Sequence, residues 1–333
     1  MWRRYLILLA LSLILSATVF AFGIRHLIHA AHNLPLAQTF WLVLLPLTGW
    51  GFAAIRIMVL SGQLGAPAGF FSCYGRILAI EFSGAVTPGS IGLAPAFIWF
   101  NQNERLSYTQ STALFTAEVV TDSIIWALAL PFMIAFTYFE PDVQMVLASL
   151  ALFFPVGSMI LWAGFRHHRH LLRGLAKFAG ALIRIPRWRR KIARALVRVH
   201  RASAIIGEIS LGRAAIIYTC AFAQWTARYG ILPAVLYLFG HSLNWALLTL
   251  FQIGLFLFGQ AVVLPGGGGG IELAFTTILS KELPLEVVYP ALALWRFYSY
   301  YLILLVGAPA FFILSRGRFK ILAKDEASKP ANG

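Results

Sequence analysis

The sequence predicts an all-α polytopic membrane protein with six full spans and two broken re-entrant helical hairpins, arranged as an inverted repeat. Three observations carry this reading: the composition, the length of the apolar runs, and two matched Pro-Gly interruptions. Hydrophobic residues make up 59% of the 333 and charged residues only 12%, roughly half the charged fraction of a soluble domain. A soluble fold of this length cannot hide so much apolar surface. Several runs reach the ~20 residues that an α-helix needs to cross hydrocarbon, whereas a β-barrel shows short alternating segments.

The first element is Met1-Trp2-Arg3-Arg4 followed by the apolar Leu6–Phe22. It has the outline of a secretory leader but no small-x-small cleavage site before Gly23, so 5–23 reads as an uncleaved first span. Further full spans are expected at 39–60, 108–138, 143–164, 212–239 and 286–314. Two more apolar regions, 65–100 and 245–281, are interrupted near their middles. The first break reads Thr87-Pro88-Gly89-Ser90-Ile91-Gly92, and the second Leu264-Pro265-Gly266-Gly267-Gly268-Gly269-Gly270. Proline removes a helical hydrogen bond and each glycine disfavours helix by ~1 kcal/mol. Each region therefore predicts two helical arms meeting at a break.

The net charge of +15 does not point to nucleic acid, because it is gathered between spans. Residues 165–201 hold twelve of the 27 Lys and Arg residues and no acidic residue. Such a loop marks the cytoplasmic side and also suits contact with anionic headgroups. With Arg3 and Arg4 inside and both hairpins re-entrant, the 165–201 stretch and Arg316, Arg318 and Lys320 all fall on that same side. The chain then divides into repeat A (39–164), a cytoplasmic basic linker (165–211), repeat B (212–314) and a cytoplasmic tail (315–333). These form one integral membrane domain, expected in a bacterial inner membrane with both termini cytoplasmic. Broken hairpins in matched positions of inverted repeats mark transporters, with the site where the breaks meet. Chance placement of Gly and Pro, which are frequent in membrane helices, is the competing explanation.

Ionisable residues far from a membrane helix end are costly and are candidates for function. Glu118 and Asp122, spaced i,i+4, share one face of their span. Arg228 lies within 212–239 with Gln224 one turn earlier, and Arg296 lies within 286–314. Arg56, near the end of its span, reads as a snorkelling side chain. One reading makes these residues structural ion pairs. The other makes Arg228 and Arg296 a phosphate site, held by Glu118 and Asp122 and completed by backbone at Pro88, Gly89, Gly92, Pro265, Gly266, Gly267 and Gly269. Half-helices starting after each break would aim N–H groups and positive dipole ends at an anion. Glu272 fits two roles, a first-turn cap of its own half-helix or part of that site. Cys73 and Cys220 lie far apart, and His167, His168 and His170 stand among arginines. No metal, no cofactor and no catalytic set is read from them.

Pro265-Gly266-Gly267-x-Gly269-x-x-Glu272 resembles the signature of the lysylphosphatidylglycerol synthase/flippase transmembrane-region family. Glu118-x-x-x-Asp122 is similar to that family's Glu-Arg-x-x-Asp, with Val119 in place of the arginine. Arg296, ahead of Tyr298, Tyr300 and Tyr301, resembles its final-span arginine. Pro88-Gly89-Ser90-Ile91-Gly92-Leu93 resembles an earlier Pro-Gly-Arg-x-Gly-Glu motif without its arginine and glutamate. The resemblance implies a stand-alone member, without the soluble aminoacyl-transferring domain, that moves a phosphate-bearing or isoprenoid-type lipid between leaflets. Its partners would be membrane lipid and a lipid-synthesis enzyme or a second copy of the chain. The alternatives are an intramembrane lipid-phosphate enzyme, against which neither hairpin shows a His or Ser set beside the carboxylates, and a non-catalytic scaffold for lipid-modifying enzymes.

Overall fold

Helix α1 (Leu36–Trp41) turns into α2 (Leu44–Gln63), whose first turn accepts Pro46 because no N–H partner exists there. These belong to a computed structural model that describes residues 36–102, 106–135, 137, 209–261 and 266–327. The expected spans 5–23 and 143–164, the basic stretch 165–201 and Pro265 lie outside the described residues. The described elements are all helical. Three helical stretches are long and apolar enough to cross a membrane: Ala37–Gln63, Tyr108–Ile134 and Leu285–Arg316. They coincide with three of the expected spans.

Both interrupted regions fold as paired arms. The first consists of α3 (Phe70–Val86) and α4 (Leu93–Asn101), the second of α8 (Trp245–Ala261) and α9 (Gly270–Leu279), and in each the arms pack on one another. Pro88 cannot continue the ladder of α3, and Thr87 takes an extended backbone. The break is then stapled locally. Thr87 Oγ1 donates to Ser83 O at 2.8 Å and accepts from Gly92 N at 2.9 Å, while Ser83 Oγ donates to Gly92 O at 3.2 Å.

Gly92 is required by this staple, since an added Cβ would sit 2.7 Å from Thr87 Cγ2 and 2.8 Å from Ser83 O. Gly92→Ala is expected to destabilise the protein by ~1–3 kcal/mol, as overpacking does. Gly62→Ala, where an added Cβ meets open space in α2, is expected to be neutral or stabilising by up to ~1 kcal/mol. Thermal unfolding of the purified protein in detergent checks both, and equal melting of the two variants would refute the staple.

The expected span 212–239 is interrupted within its length: it holds two helices, α6 (Leu211–Tyr229) and α7 (Ile231–Leu238), meeting at Gly230. Pro233 has no N–H to offer the carbonyl four residues back. That carbonyl, Tyr229 O, accepts instead from Gln252 Nε2 of α8 at 2.9 Å. Gln252 Oε1 in turn accepts from Trp295 Nε1 at 2.9 Å. One buried side chain thus joins α6 and α8 to the helix that carries Trp295 at the kink. The remaining described helices are α5 (Tyr108–Ala135), α10 (Leu285–Arg296) and α11 (Leu302–Ala327). A π-helical turn, Phe297–Tyr301, lies between the last two. Such turns recur at functional sites because they re-aim side chains within a helix.

Packing follows two centres. One cluster gathers Ala53, Ile57, Ile77, Ile80, Phe97 and Leu114 from α2–α5, and the other Leu232, Leu236, Phe275, Leu292 and Trp295 from α7–α10. Helix α6 lies along α2 and sends Ile217 into the first cluster, and α11 lies along α3. The two halves are thereby locked across one seam, and both breaks face it.

Candidate functional site

The seam encloses a cavity of about 340 Å³. Of the residues singled out from the sequence, Glu118, Asp122, Gln224, Arg228, Arg296, Gly89, Gly266 and Gly267 line it. Pro88, Gly92, Gly269 and Glu272 stand behind the wall and shape the elements that form it. The two breaks approach each other here: Gly89 packs on Gln260 O at the end of α8, and Tyr300 Oη donates to Ala85 O at 3.4 Å.

The ion pairs are distributed differently from the expected scheme, in which Glu118 and Asp122 held Arg228 and Arg296. Arg56 takes those carboxylates. It is fully buried, not snorkelling, with Nη2 2.8 Å from Asp122 Oδ1 and Nη1 donating to Gln224 Oε1 at 2.7 Å. Nη2 also donates to Glu118 O at 3.3 Å, and the Glu118 carboxylate lies 4.0 Å from Nη1. Packing of α2 against both α5 and α6 puts their polar faces around its middle, which fixes Arg56 inside. The arginine thus ties three helices at a buried point where an unpaired charge would be expensive.

Arg296 is the second buried cation. Its Nε and Nη2 donate to Glu272 Oε1 at 2.8 and 2.5 Å, and Nη2 also donates to Gly266 O at 3.0 Å. Glu272 therefore does not cap its own helix: α9 has no side-chain cap, and its first-turn carboxylate is turned onto Arg296. The expected free N–H groups at the breaks are also partly used. Ile271 N donates to Gly267 O, Leu273 N to Gly269 O, and Leu93 N to Ser90 O. Gly267 has φ +64 and approaches α8 so closely that a Cβ would lie 2.8 Å from Gly259 Cα. Glycine there serves helix packing as well as the turn.

Arg228 is held loosely by comparison. Among the described residues its ion pair is a 3.5 Å contact from Nη1 to Glu81 Oε2, and its side chain keeps 34% of its exposure. Its guanidinium lies 5.4 Å from the Phe256 ring centre and 5.7 Å from that of Trp225, within cation–π reach. Glu81 was missed in the sequence, although a carboxylate inside the apolar region 65–100 meets the same criterion that selected Glu118. Arg56 was misassigned because its position along the span says nothing of what packs beside it.

A family model described as the lysylphosphatidylglycerol synthase TM region matches residues 6–307. The chain belongs to this family. It is also similar to a "UPF0104 membrane protein" of Archaeoglobus fulgidus, with 23% identity over 278 residues, covering 80% of this chain and 83% of the relative. The signature that resembles this family lines the cavity with Gly266 and Gly267. Its glutamate and the final-span arginine form the buried Glu272–Arg296 pair. The chain is thus an integral membrane protein of the lysylphosphatidylglycerol synthase transmembrane-region family, with a charged cavity between its two halves.

Proposed function

We propose that this protein is a lipid transporter that moves a phosphate-bearing lipid between leaflets, with the headgroup received at Arg228. The observation that carries this reading is the contrast among Arg56, Arg228 and Arg296. Arg56 and Arg296 are buried and held by short contacts, whereas Arg228 faces the cavity with a single long ion pair. A guanidinium with unused donors in a low-dielectric cleft binds phosphate oxygens bidentately. Trp225 and Phe256 flank the guanidinium at 5.7 and 5.4 Å, and all three side chains line the cavity. The inverted repeat and the cytoplasmic placement of both termini belong to this proposal. Re-entrant hairpins of opposite orientation would bring their breaks together at the cavity, as transporter repeats do.

The test is a leaflet-accessibility assay in proteoliposomes, using fluorescent phosphatidylglycerol and external dithionite. Charge-assisted hydrogen bonds are worth ~1.5–3 kcal/mol, so Arg228→Ala is expected to slow lipid movement roughly 10- to 100-fold. Arg228→Lys, which keeps charge but loses the planar fork, is expected to fall between. Arg213→Ala, at an exposed side chain that donates to Gln63, serves as the unaffected control. Equal rates in wild type and Arg228→Ala would overturn the assignment.

A further inference from the structure

A second, smaller cavity of about 40 Å³ adjoins the first and is lined by Pro46, Gly49, Trp50 and Tyr298, among others. On α2 it lies about one turn nearer the N-terminal end than Ala53, which lines the main cavity. Five residues line both spaces: Glu81, Gln224, Arg228, Ser299 and Ile303. They are the partition between them. Gln224 is fixed by its bond from Arg56, and Ile303 is packed at 5% exposure. The 3.5 Å contact between Arg228 and Glu81, with both side chains partly exposed, is the weakest join in that partition.

We propose that the Glu81–Arg228 pair is an exchange gate, which a phosphate headgroup opens by taking Arg228 from Glu81. This rests on the transport reading above and adds Glu81 as a positioning residue. In the closed state the carboxylate holds the guanidinium across the opening. A phosphate arriving from the main cavity competes for the same N–H donors with more acceptor oxygens and a planar, bidentate match. Once Arg228 turns to the phosphate, Glu81 is left facing the cavity, where it is already part exposed, and the small cavity joins the large one. The joined space runs along α2 toward its N-terminal end. Tyr298, which lines the small cavity, donates its Oη to Thr39 O at 2.6 Å on that side. The π-helical turn that carries Tyr298 and Ser299 puts these two neighbours on the wall of the same small cavity.

Cysteine accessibility in proteoliposomes tests the gate without measuring transport. In a chain with Cys73→Ala and Cys220→Ala, Val119→Cys reports the main cavity and Gly49→Cys the small one. A Cβ at Gly49 makes ordinary contacts, the nearest 3.5 Å from Gln224 O. A membrane-impermeant maleimide is applied to the face from which Val119→Cys reacts. With the native pair, Gly49→Cys is expected to react slowly from that face. Glu81→Gln, close to isosteric, is expected to speed it by roughly tenfold or more, because a closed state that hides a minor open one loses its advantage. Arg228→Met gives the same comparison from the other side of the pair. Soluble dihexanoyl phosphatidate is expected to open the native pair in the same way. If neither Glu81→Gln nor Arg228→Met speeds labelling while Val119→Cys stays reactive, the gate is refuted. If both open it but dihexanoyl phosphatidate does not, the pair is still a gate and the phosphate reading fails.

Discussion

Glu272→Ala is expected to be among the most destabilising single substitutions in this protein, because it strands Arg296 in the interior. The pair is buried on both sides, with side-chain exposures of 4% and 3%. Removing one member of a buried ion pair costs ~3–5 kcal/mol, since the remaining charge keeps its desolvation penalty and loses its compensation. Two further variants separate charge from shape. Glu272→Leu combined with Arg296→Met removes both charges and leaves comparable volume, so most of the lost stability is expected to return. Arg296→Lys keeps the charge opposite Glu272 but cannot also reach Gly266 O through a second nitrogen. It is expected to fold with a smaller loss and to leave the glycine-rich break less ordered. Thermal unfolding in detergent, with limited proteolysis near 262–270, measures both effects. A double variant as unstable as Glu272→Ala would show that the pair acts through specific geometry and not through charge compensation.

The second large effect is expected at Arg56, which touches α5 and α6 from the middle of α2. Arg56→Ala removes the cation from beside Asp122 and Glu118 and leaves a void where a large side chain is fully enclosed. Both losses act at once, so a cost of at least ~3–5 kcal/mol is expected, with poor recovery of folded protein. Because that variant is expected to be hard to purify, a double-mutant cycle is the better measurement. Arg56→Met and Asp122→Asn are expected to couple by about 1–3 kcal/mol, as groups in direct contact do. Arg56→Met and Glu272→Gln sit in different ion pairs and are expected to add. Additive behaviour of Arg56 with Asp122 would mean that the 2.8 Å contact contributes nothing net.

These two pairs also show where reading the sequence stops. That Glu118, Asp122, Arg228 and Arg296 meet at one place was legible, because each is a charge in an apolar run and such charges turn inward. Which cation faces which carboxylate was not. Arg56 was set aside as a snorkelling residue and Glu81 passed unnoticed, yet they hold Asp122 and Arg228 respectively. Glu272 was weighed as a helix cap, and its carboxylate instead spans from α9 to α10. In each case the deciding neighbour sits on another helix, 24 residues away for Glu272 and Arg296 and 147 for Arg228 and Glu81.

By itself the sequence determined what is local. Apolar run length set the membrane class, and Pro and Gly placed the breaks of both hairpins, since missing N–H groups and missing Cβ atoms act on the nearest turn of helix. The family signature at 265–272 was likewise readable from residue order. Tertiary structure decided the rotation of each helix about its axis and the neighbour it faces. It stood Gln252 where it takes the Tyr229 carbonyl that Pro233 leaves free at the kink. It also made Arg56 a structural tie and left Arg228 loosely held at the partition of two cavities. A charge in a membrane helix must find a partner, but the partner is chosen by the packing of apolar faces, which no single helix contains.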